Sequence, residues 1–302
     1  MKYIVPNPLG ATVTVFAPYD CKNNCPFCVN KREYKDNPSF DMEKVTQAME
    51  ELHCITPRCD FVITGGEPFA DLDKLGLLLD TIKELNDSSF FTHKVFINTT
   101  LPVQIGLMAF LRKYSDVITC LNVSRHVRPF VGDSTGIFES KILDDIIPVR
   151  INTVLTSEED VLLYKEKVYD KLKQYKSIKG FQIREDYTKV NAANLYSISD
   201  LMRIFAETYN LKTKEIDDFI YDQYDQNNTF RWNYRITDKL SWHKTLPCSK
   251  ITEFPSDDVQ INDIIVTPQG KVMDDWNEYG TELDLGLYQL AFASGGANNE
   301  QN

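Results

Sequence analysis

The chain has 302 residues, of which 42% are hydrophobic and 25% are charged, a composition typical of a globular protein. Its formal net charge of −11 disfavours a protein that binds long nucleic acids through their phosphates, because such proteins present basic surfaces. No apolar run reaches the ~18 residues of a membrane span, and the start of the chain lacks the apolar core of a signal peptide. We therefore expect a cytoplasmic protein that does not associate with a membrane.

The first two thirds of the chain alternate predicted strands with predicted helices. The predicted strands are 11–17, 61–64, 94–98, 117–123, 149–155 and 180–184, and the predicted helices are 41–53, 71–85, 103–114 and 157–175. This alternation indicates parallel βα units, and six units predict an α/β fold with a partial (β/α)6 barrel. Catalytic groups are then expected at the C-terminal ends of the strands and in the loops that follow them.

From about residue 195 onward the alternation ends. A helix is predicted over 197–208, and the acidic and aromatic segment 215–234 is interpreted as a cap that packs on the barrel mouth. The segment 264–276 predicts a β-hairpin, because a Pro-Gln-Gly turn separates two apolar runs. These elements predict a C-terminal α+β extension.

Two domains follow from this order of elements. We predict a barrel core over 1–195 and a C-terminal cap or substrate region over 196–302. The last residues, about 294–302, are small and polar and predict a disordered tail.

Cys21, Cys25 and Cys28 form a C-x3-C-x2-C motif just after the first predicted strand. Three thiolates within eight residues can bind one metal centre but cannot complete a cage of four ligands. A [4Fe–4S] cluster held by three cysteines leaves one iron open to a small molecule. The alternatives are a zinc site that takes a distant fourth ligand, or cysteines near a turn that bind no metal.

The chain contains seven cysteines, an odd number that suits a reducing compartment and metal binding better than disulfides. Cys54, Cys59 and Cys120 are predicted to be buried packing residues. The four histidines show no metal-binding pattern. No phosphate-binding loop and no G-x-S-x-G elbow is present in the sequence.

A second motif, TGGEP, follows the second predicted strand and contains Gly65, Gly66, Glu67 and Pro68. With the cysteine motif on the preceding strand, it makes residues 11–190 resemble the radical S-adenosylmethionine (SAM) superfamily. The aromatic Phe27, directly before the third cysteine, also matches that family. The resemblance implies one partial barrel and a catalytic activity that requires iron.

The resemblance implies that Cys21, Cys25 and Cys28 ligate a [4Fe–4S] cluster and that SAM chelates the fourth iron. Reductive cleavage of SAM then gives a 5′-deoxyadenosyl radical, which abstracts hydrogen from the substrate. The cofactors supply this step, and the protein positions them. A flavodoxin or a ferredoxin is the expected electron donor.

The resemblance also implies a set of SAM contacts. Glycine has no Cβ, so Gly65 and Gly66 would let the backbone approach SAM, with Glu67 as structural or polar support. Asn122 or Ser124 on the fourth strand would contact the ribose or the carboxylate. The remaining implied contacts are Phe27, Pro68, Asn152 (which matches the molybdenum-cofactor-type branch) and Arg184. A polar residue inside a barrel can instead serve only to satisfy its neighbours.

The sequence departs from that branch in its C-terminal third, where relatives carry several cysteines for auxiliary clusters. In this sequence the C-terminal third contains a single cysteine, Cys248. We therefore predict a single cluster per chain. Cys248 remains a weak catalytic candidate as a hydrogen-atom donor, with a substrate anchor and, most simply, a packing residue as alternatives.

Three functions are compared at this point. The favoured one is a radical SAM enzyme that acts on a small molecule, a nucleotide or a peptide. The second is a radical SAM enzyme that modifies RNA or DNA, which the acidic net charge disfavours. The third is a non-enzymatic metal-binding module with a structural or sensing role.

Overall fold

The computed structural model of the chain describes residues 4–6, 10–16, 21–28, 39–56, 58–128, 137–138, 141, 143–144, 146–185, 220–224, 229–237, 251–253, 259–261, 263–274, 280–283 and 285. Four predictions fall outside these residues: the domain boundary near residue 195, the helix over 197–208, the position of Cys248 and the tail over 294–302. Within the described part, every helix is too short or too polar to cross a lipid bilayer.

The described elements follow the predicted alternation. The strands are β1 (Ile4–Pro6), β2 (Ala11–Phe16), β3 (Cys59–Thr64), β4 (Lys94–Thr99), β5 (Cys120–Ser124), β6 (Val149–Leu155), β7 (Ile178–Glu185), β8 (Ile220–Tyr224), β9 (Thr229–Thr237), β10 (Ile251–Glu253), β11 (Val259–Ile261), β12 (Asp263–Val266) and β13 (Val272–Met273). The helices are α1 (Met42–Ile55), α2 (Leu72–Ser88), α3 (Leu107–Lys113), α4 (Glu158–Tyr164) and α5 (Asp170–Leu172). The six predicted strands correspond to β2 through β7, so the predicted α/β fold class is confirmed.

The chain divides into two compact units. The first comprises Met1–Asp20, Asn30–Phe96 and Ser249–Asn302, and the second comprises Cys21–Val29 and Ile97–Cys248. The predicted boundary between a core and a cap near residue 195 stays a prediction, because the chain around it lies outside the described residues.

In the first unit, hydrogen bonds join the strands in the order β13-β12-β2-β3, and β4 follows β3. Strand β2 is buried along its whole length and pairs in parallel with both β3 and β12. A separate three-stranded sheet has the order β1-β11-β10. A C-terminal strand thus extends the sheet beyond β2, a pairing that the sequence analysis did not predict.

Helices α1 and α2 cover this sheet with apolar stripes and begin at aspartate N-caps. Asp41 accepts a hydrogen bond from the backbone N–H of Lys44 at 3.2 Å, and Asp71 accepts one from Lys74 at 3.0 Å. Each cap satisfies an N–H that the first helical turn leaves without an acceptor. The predicted start of the first helix at Asp41 is confirmed.

The predicted hairpin over 264–276 is confirmed as β12 and β13. Its turn is closed by a hydrogen bond from the N–H of Gly270 to the carbonyl of Thr267 at 2.9 Å. Gly270 has a φ of 76°, and a Cβ there would lie 2.5 Å from the Cβ of Lys44. Only glycine fits this contact between the turn and helix α1.

In the second unit, β5, β6 and β7 pair in parallel, and β9 and β8 extend the sheet in antiparallel orientation. Strands β8 and β9 arise from the segment that was interpreted as a cap. The alternation of apolar and polar residues over 229–237 was the available signal for this strand.

Two helix predictions differ from the structure in extent. The helix predicted over 103–114 begins later, at Leu107, after Gly106 with a φ of 85°. The helix predicted over 157–175 is divided into α4, a π-helical stretch over Lys165–Tyr169 and α5. Hydrophobic periodicity predicts where such helices lie but not where the hydrogen-bond pattern changes.

The predicted burial of the other cysteines is correct for two of the three. Cys59 and Cys120 are buried, whereas Cys54 is exposed. The buried residues of α1 include Leu52 and Ile55, and position 54 falls between them on the solvent side of the stripe. The prediction for Cys54 was therefore wrong.

Candidate functional site

The predicted metal ligands lie together on one short loop after β2. Cys21, Cys25 and Cys28 are half-buried thiols. The N–H of Cys28 donates to the carbonyl of Cys25 at 3.2 Å, which closes a turn between these two residues. Among the described residues, no three His, Cys, Asp or Glu side chains form a set able to hold a metal ion.

The structure therefore brings the three cysteines onto one loop but does not gather their side chains around one point. Their chemistry nevertheless fits an iron–sulfur cluster, which takes thiolate ligands. Their partial exposure leaves the sulfur atoms accessible to iron. The assignment as ligands stays a prediction at this stage.

Phe27 lies within this loop and is buried, with 9% of its surface exposed. Its ring contacts the imidazole of His126, with the ring centroids 4.8 Å apart and the planes tilted by 60°. His126 follows β5 by two residues. The contact joins the cysteine loop to the C-terminal end of β5 within the second unit.

His126 is itself held by strand β6. Its Nδ1 accepts a hydrogen bond from the backbone N–H of Val154 at 3.1 Å. Desolvation on burial is the main cause that lowers the pKa of His126 to about 4, the charge of Arg125 lowers it further, and the charge of Asp160 opposes the shift. The imidazole is therefore neutral at pH 7, with its proton on Nε2.

The residue before His126 is bound to β6 as well. The N–H of Arg125 donates to the carbonyl of Asn152 at 2.9 Å, and the hydroxyl of Thr153 donates to the carbonyl of Arg125 at 2.6 Å. The guanidinium of Arg125 donates to the carbonyl of Thr100 at 2.9 Å. Arg125 is buried, so its guanidinium contacts the interior of the second unit and not solvent.

Arg128 joins the same segment to the start of helix α4. Its Nε donates to Asp160 at 2.9 Å, and its Nη2 donates to Glu159 at 2.9 Å. The carboxylate of Asp160, only 2% exposed, also accepts from the N–H and the hydroxyl of Thr156. Two carboxylates thus balance the charge of Arg128.

Polar side chains line one face of the strands in the second unit. Asn122 donates through Nδ2 to Oδ1 of Asn98 at 2.9 Å. The register pairs Ser124 with Asn152, and Asn152 with Gln182 on β7. Residues in register on parallel strands point to the same face of a sheet. The three predicted strand residues, Asn122, Ser124 and Asn152, therefore share one polar wall.

Arg184 lies on β7, where its backbone is in register with Val154 on β6. Asn98 and Gln182 are members of the polar wall that the sequence analysis did not single out. The alternation of side chains along β5 indicated neither Asn98 nor Gln182, since the position of each depends on the register between strands.

Cys120 lies at the start of β5, where burial raises the pKa of its thiol to about 12, so it stays protonated.

The glycine motif lies in the first unit, at the C-terminal end of β3. Gly65 is buried and has a φ of 124°, in a region of conformation that favours glycine. Glu67 is 6% exposed, and its Oε1 accepts a hydrogen bond from the N–H of Phe69 at 3.2 Å. Glu67 thereby caps a 3₁₀ turn over Pro68–Ala70 and has a structural role in the loop.

Comparison with known proteins gives two kinds of similarity. Residues 7–126 match the model of the family described as a 4Fe-4S single cluster domain. This segment contains the cysteine loop and the glycine motif, and it ends at His126. No curated protein shows significant sequence similarity to the chain.

Two solved structures share the fold at low sequence identity. SuiB of Streptococcus suis, bound to the precursor peptide SuiA, is 13% identical with a TM-score of 0.52, and the match covers 93% of this chain and 65% of SuiB. The enzyme anSMEcpe, with bound AdoMet (SAM) and a peptide, is 14% identical with a TM-score of 0.50, and the match covers 88% of this chain and 74% of that one. Both are radical SAM enzymes. The chain has the radical SAM fold.

The radical SAM fold confirms the resemblance that the two motifs predicted, and it confirms the six-stranded parallel core. In this chain the cysteine loop follows β2 and the glycine motif follows β3. The chain spans about 65% of the length of SuiB.

Proposed function

We propose that this chain is a radical SAM enzyme that binds one [4Fe–4S] cluster through Cys21, Cys25 and Cys28. The observation that carries the proposal is a loop with three thiols at the end of β2 in a radical SAM fold. The match of residues 7–126 to a 4Fe-4S domain supports the same assignment. A zinc site is the weaker alternative, because thiolates also bind zinc but the family match is to a 4Fe-4S domain.

The cluster and SAM together, when bound, supply reductive cleavage of SAM to a 5′-deoxyadenosyl radical that abstracts hydrogen from the substrate. The chain supplies the three thiolates and the residues that orient SAM. We assign the SAM contacts to the glycine motif over 65–68, to Phe27, and to the polar residues Asn122, Ser124, Asn152 and Arg184. The amides of Asn98 and Asn122 hold each other in place, which fixes the wall proposed to face the ligand.

We further propose that the substrate is a peptide. The two structures that share the fold support this class, since SuiB is bound to its precursor peptide and anSMEcpe to a peptide. A nucleic acid substrate fits less well, because the net charge is −11 and Arg128 is paired with two carboxylates. We propose a flavodoxin or a ferredoxin as the electron donor, and a cytoplasmic location.

Anaerobic reconstitution with iron and sulfide tests the proposal. We expect about four iron atoms per chain and formation of 5′-deoxyadenosine when SAM and dithionite are added. Stoichiometric zinc with no cleavage of SAM would instead support a structural metal module. Candidate peptides, nucleotides and short RNA are then compared as hydrogen donors by transfer of deuterium into 5′-deoxyadenosine.

A further inference from the structure

We propose that His126 is a positioning residue that holds the cysteine loop through Phe27 and so determines how firmly the chain retains its cluster. This inference rests on the proposed function, because it concerns the loop that would ligate the iron. His126 does not contact the reacting atoms in this role. It acts through the ring of its neighbour in the loop.

The contact between the two rings is the first step. Phe27 lies between Cys25 and Cys28 in the chain, inside the turn that the N–H of Cys28 closes. Its ring is buried, although the three cysteines around it are only half-buried. A tilted pair of rings at 4.8 Å is a favourable aromatic geometry, so His126 is a specific packing partner for Phe27.

The second step is that the ring of His126 is itself held rigidly. Three hydrogen bonds join the two residues after β5 to β6: Arg125 N–H to Asn152, Thr153 to the carbonyl of Arg125, and Val154 N–H to His126. The ion pair from Arg128 to Asp160 binds the same segment to α4. A ring held in this way can restrain the loop that packs against it.

The third step concerns cluster retention. The side chains of the three cysteines do not form a metal-holding set by themselves, so they must come together when iron binds. A loop already fixed at Phe27 loses less conformational freedom on binding, and it releases iron more slowly. Loss of the contact between Phe27 and His126 should therefore make the cysteine loop more mobile without removing any iron ligand.

Two substitutions at one position separate the ring from the hydrogen bond. His126→Asn keeps an acceptor for the N–H of Val154 but removes the ring, whereas His126→Phe keeps a ring and removes the acceptor. Phe27→Leu removes the partner ring and provides an independent variant should His126→Asn fail to fold. Phe110→Leu is the matched control, because it breaks another tilted ring pair, with Tyr114 at 4.7 Å, on helix α3.

The first measurement is amide hydrogen exchange over 21–28 in the cluster-free, full-length protein. We expect His126→Asn and Phe27→Leu to exchange about two- to tenfold faster than wild type, the range that one aromatic contact supports. Phe110→Leu should stay near the wild-type rate in this loop, and His126→Phe should lie between wild type and His126→Asn, because it keeps a ring against Phe27 but loses the hydrogen bond from Val154. Wild-type exchange in His126→Asn would overturn the proposal.

The second measurement is the rate at which the reconstituted protein loses iron to a chelator. We expect faster loss in the same two variants, and a double variant with Phe27→Leu and His126→Asn that is no faster than either single one, because both remove one contact. Additive effects of the two substitutions on the rate of iron loss would contradict the proposal that His126 holds the loop through Phe27. If wild type binds no iron at all, the proposed function fails, and the exchange experiment still decides the contact between the rings.

Discussion

The imidazoles of His53 and His93 form a direct pair, with Nδ1 of His53 3.0 Å from Nε2 of His93. Nδ1 of His93 accepts a hydrogen bond from the backbone N–H of Cys59 at 3.0 Å, so the proton of His93 lies on Nε2 and is donated to His53. The pair links the last turn of α1 to the starts of β3 and β4 in the first unit. It requires both rings to be neutral.

This pair predicts acid sensitivity. Desolvation is the main cause that lowers the pKa of His93 to about 4, and the neighbouring His53 is a smaller cause. An unfolded histidine takes up a proton near pH 6.5. The folded state is therefore fully favoured above pH 6.5 and loses stability as the pH falls toward 4, by about 2 kcal/mol for this residue. Urea unfolding of the cluster-free protein at pH 7.5 and pH 4.5 measures the loss.

His93→Asn is the control for that experiment. Its side-chain oxygen can accept from the N–H of Cys59, but it cannot take up a proton in this range. We expect the variant to lose clearly less stability than wild type between the two pH values. An equal loss in both proteins would show that other groups cause the acid sensitivity.

The cysteine loop gives the second prediction. Cys25→Ala removes one thiolate from the three proposed ligands, so the absorbance near ~400 nm and the cleavage of SAM should both be lost. Cys54→Ala is the matched control, since Cys54 is an exposed thiol on α1, outside the motif. Iron quantification and a 5′-deoxyadenosine assay on both variants test the assignment, which a fully active Cys25→Ala protein would refute.

The glycine motif gives the third prediction. Gly66→Val places a side chain where close approach to SAM is expected, so SAM affinity should fall while the iron content stays near that of wild type. Gly66 is partly exposed and does not have a positive φ, so the backbone at this position should accommodate valine without strain. Gly65→Ala acts differently, because a φ of 124° disfavours any side chain.

Equilibrium binding of SAM and thermal unfolding separate these two effects. The valine variant should bind SAM at least several-fold more weakly with little change in its unfolding temperature. The alanine variant should unfold at a lower temperature, because backbone strain of this kind costs about 1–3 kcal/mol. Wild-type SAM affinity in Gly66→Val would remove the glycine motif from the binding site.

Asp160 gives the fourth prediction. Its buried carboxylate accepts from Thr156 and Arg128, so Asp160→Ala removes the acceptor of several partly buried donors and should lower the free energy of unfolding by about 2 kcal/mol. Glu159→Ala removes only the exposed partner of Arg128 and should have a much smaller effect. Denaturant unfolding of the two variants side by side is the measurement. Equal losses would contradict the importance of burial here.

Much of the fold was predictable because its signals are local. Strands β2 to β7 follow from short apolar runs, and α1 and α2 from their apolar stripes and aspartate caps. The cysteine and glycine motifs are also local, and their order on consecutive strands predicted the radical SAM fold. Alternation along β5 placed Asn122 and Ser124 on one face.

The remaining features depend on contacts between distant segments. The pairing of β12 with β2 joins residues about 250 positions apart, and no local pattern encodes it. His126 acquires its role only because Phe27 lies against its ring and Val154 donates to it. In the sequence it is one of four scattered histidines, so a tertiary structure was needed to single it out.

Electron paramagnetic resonance of the dithionite-reduced, reconstituted protein, with and without SAM, tests the central claim most directly. Three thiolates leave one iron open, so a [4Fe–4S] signal should be present and should change when SAM is added in excess. A protein with no iron–sulfur signal, or with a signal that saturating SAM leaves unchanged, would contradict the proposed function.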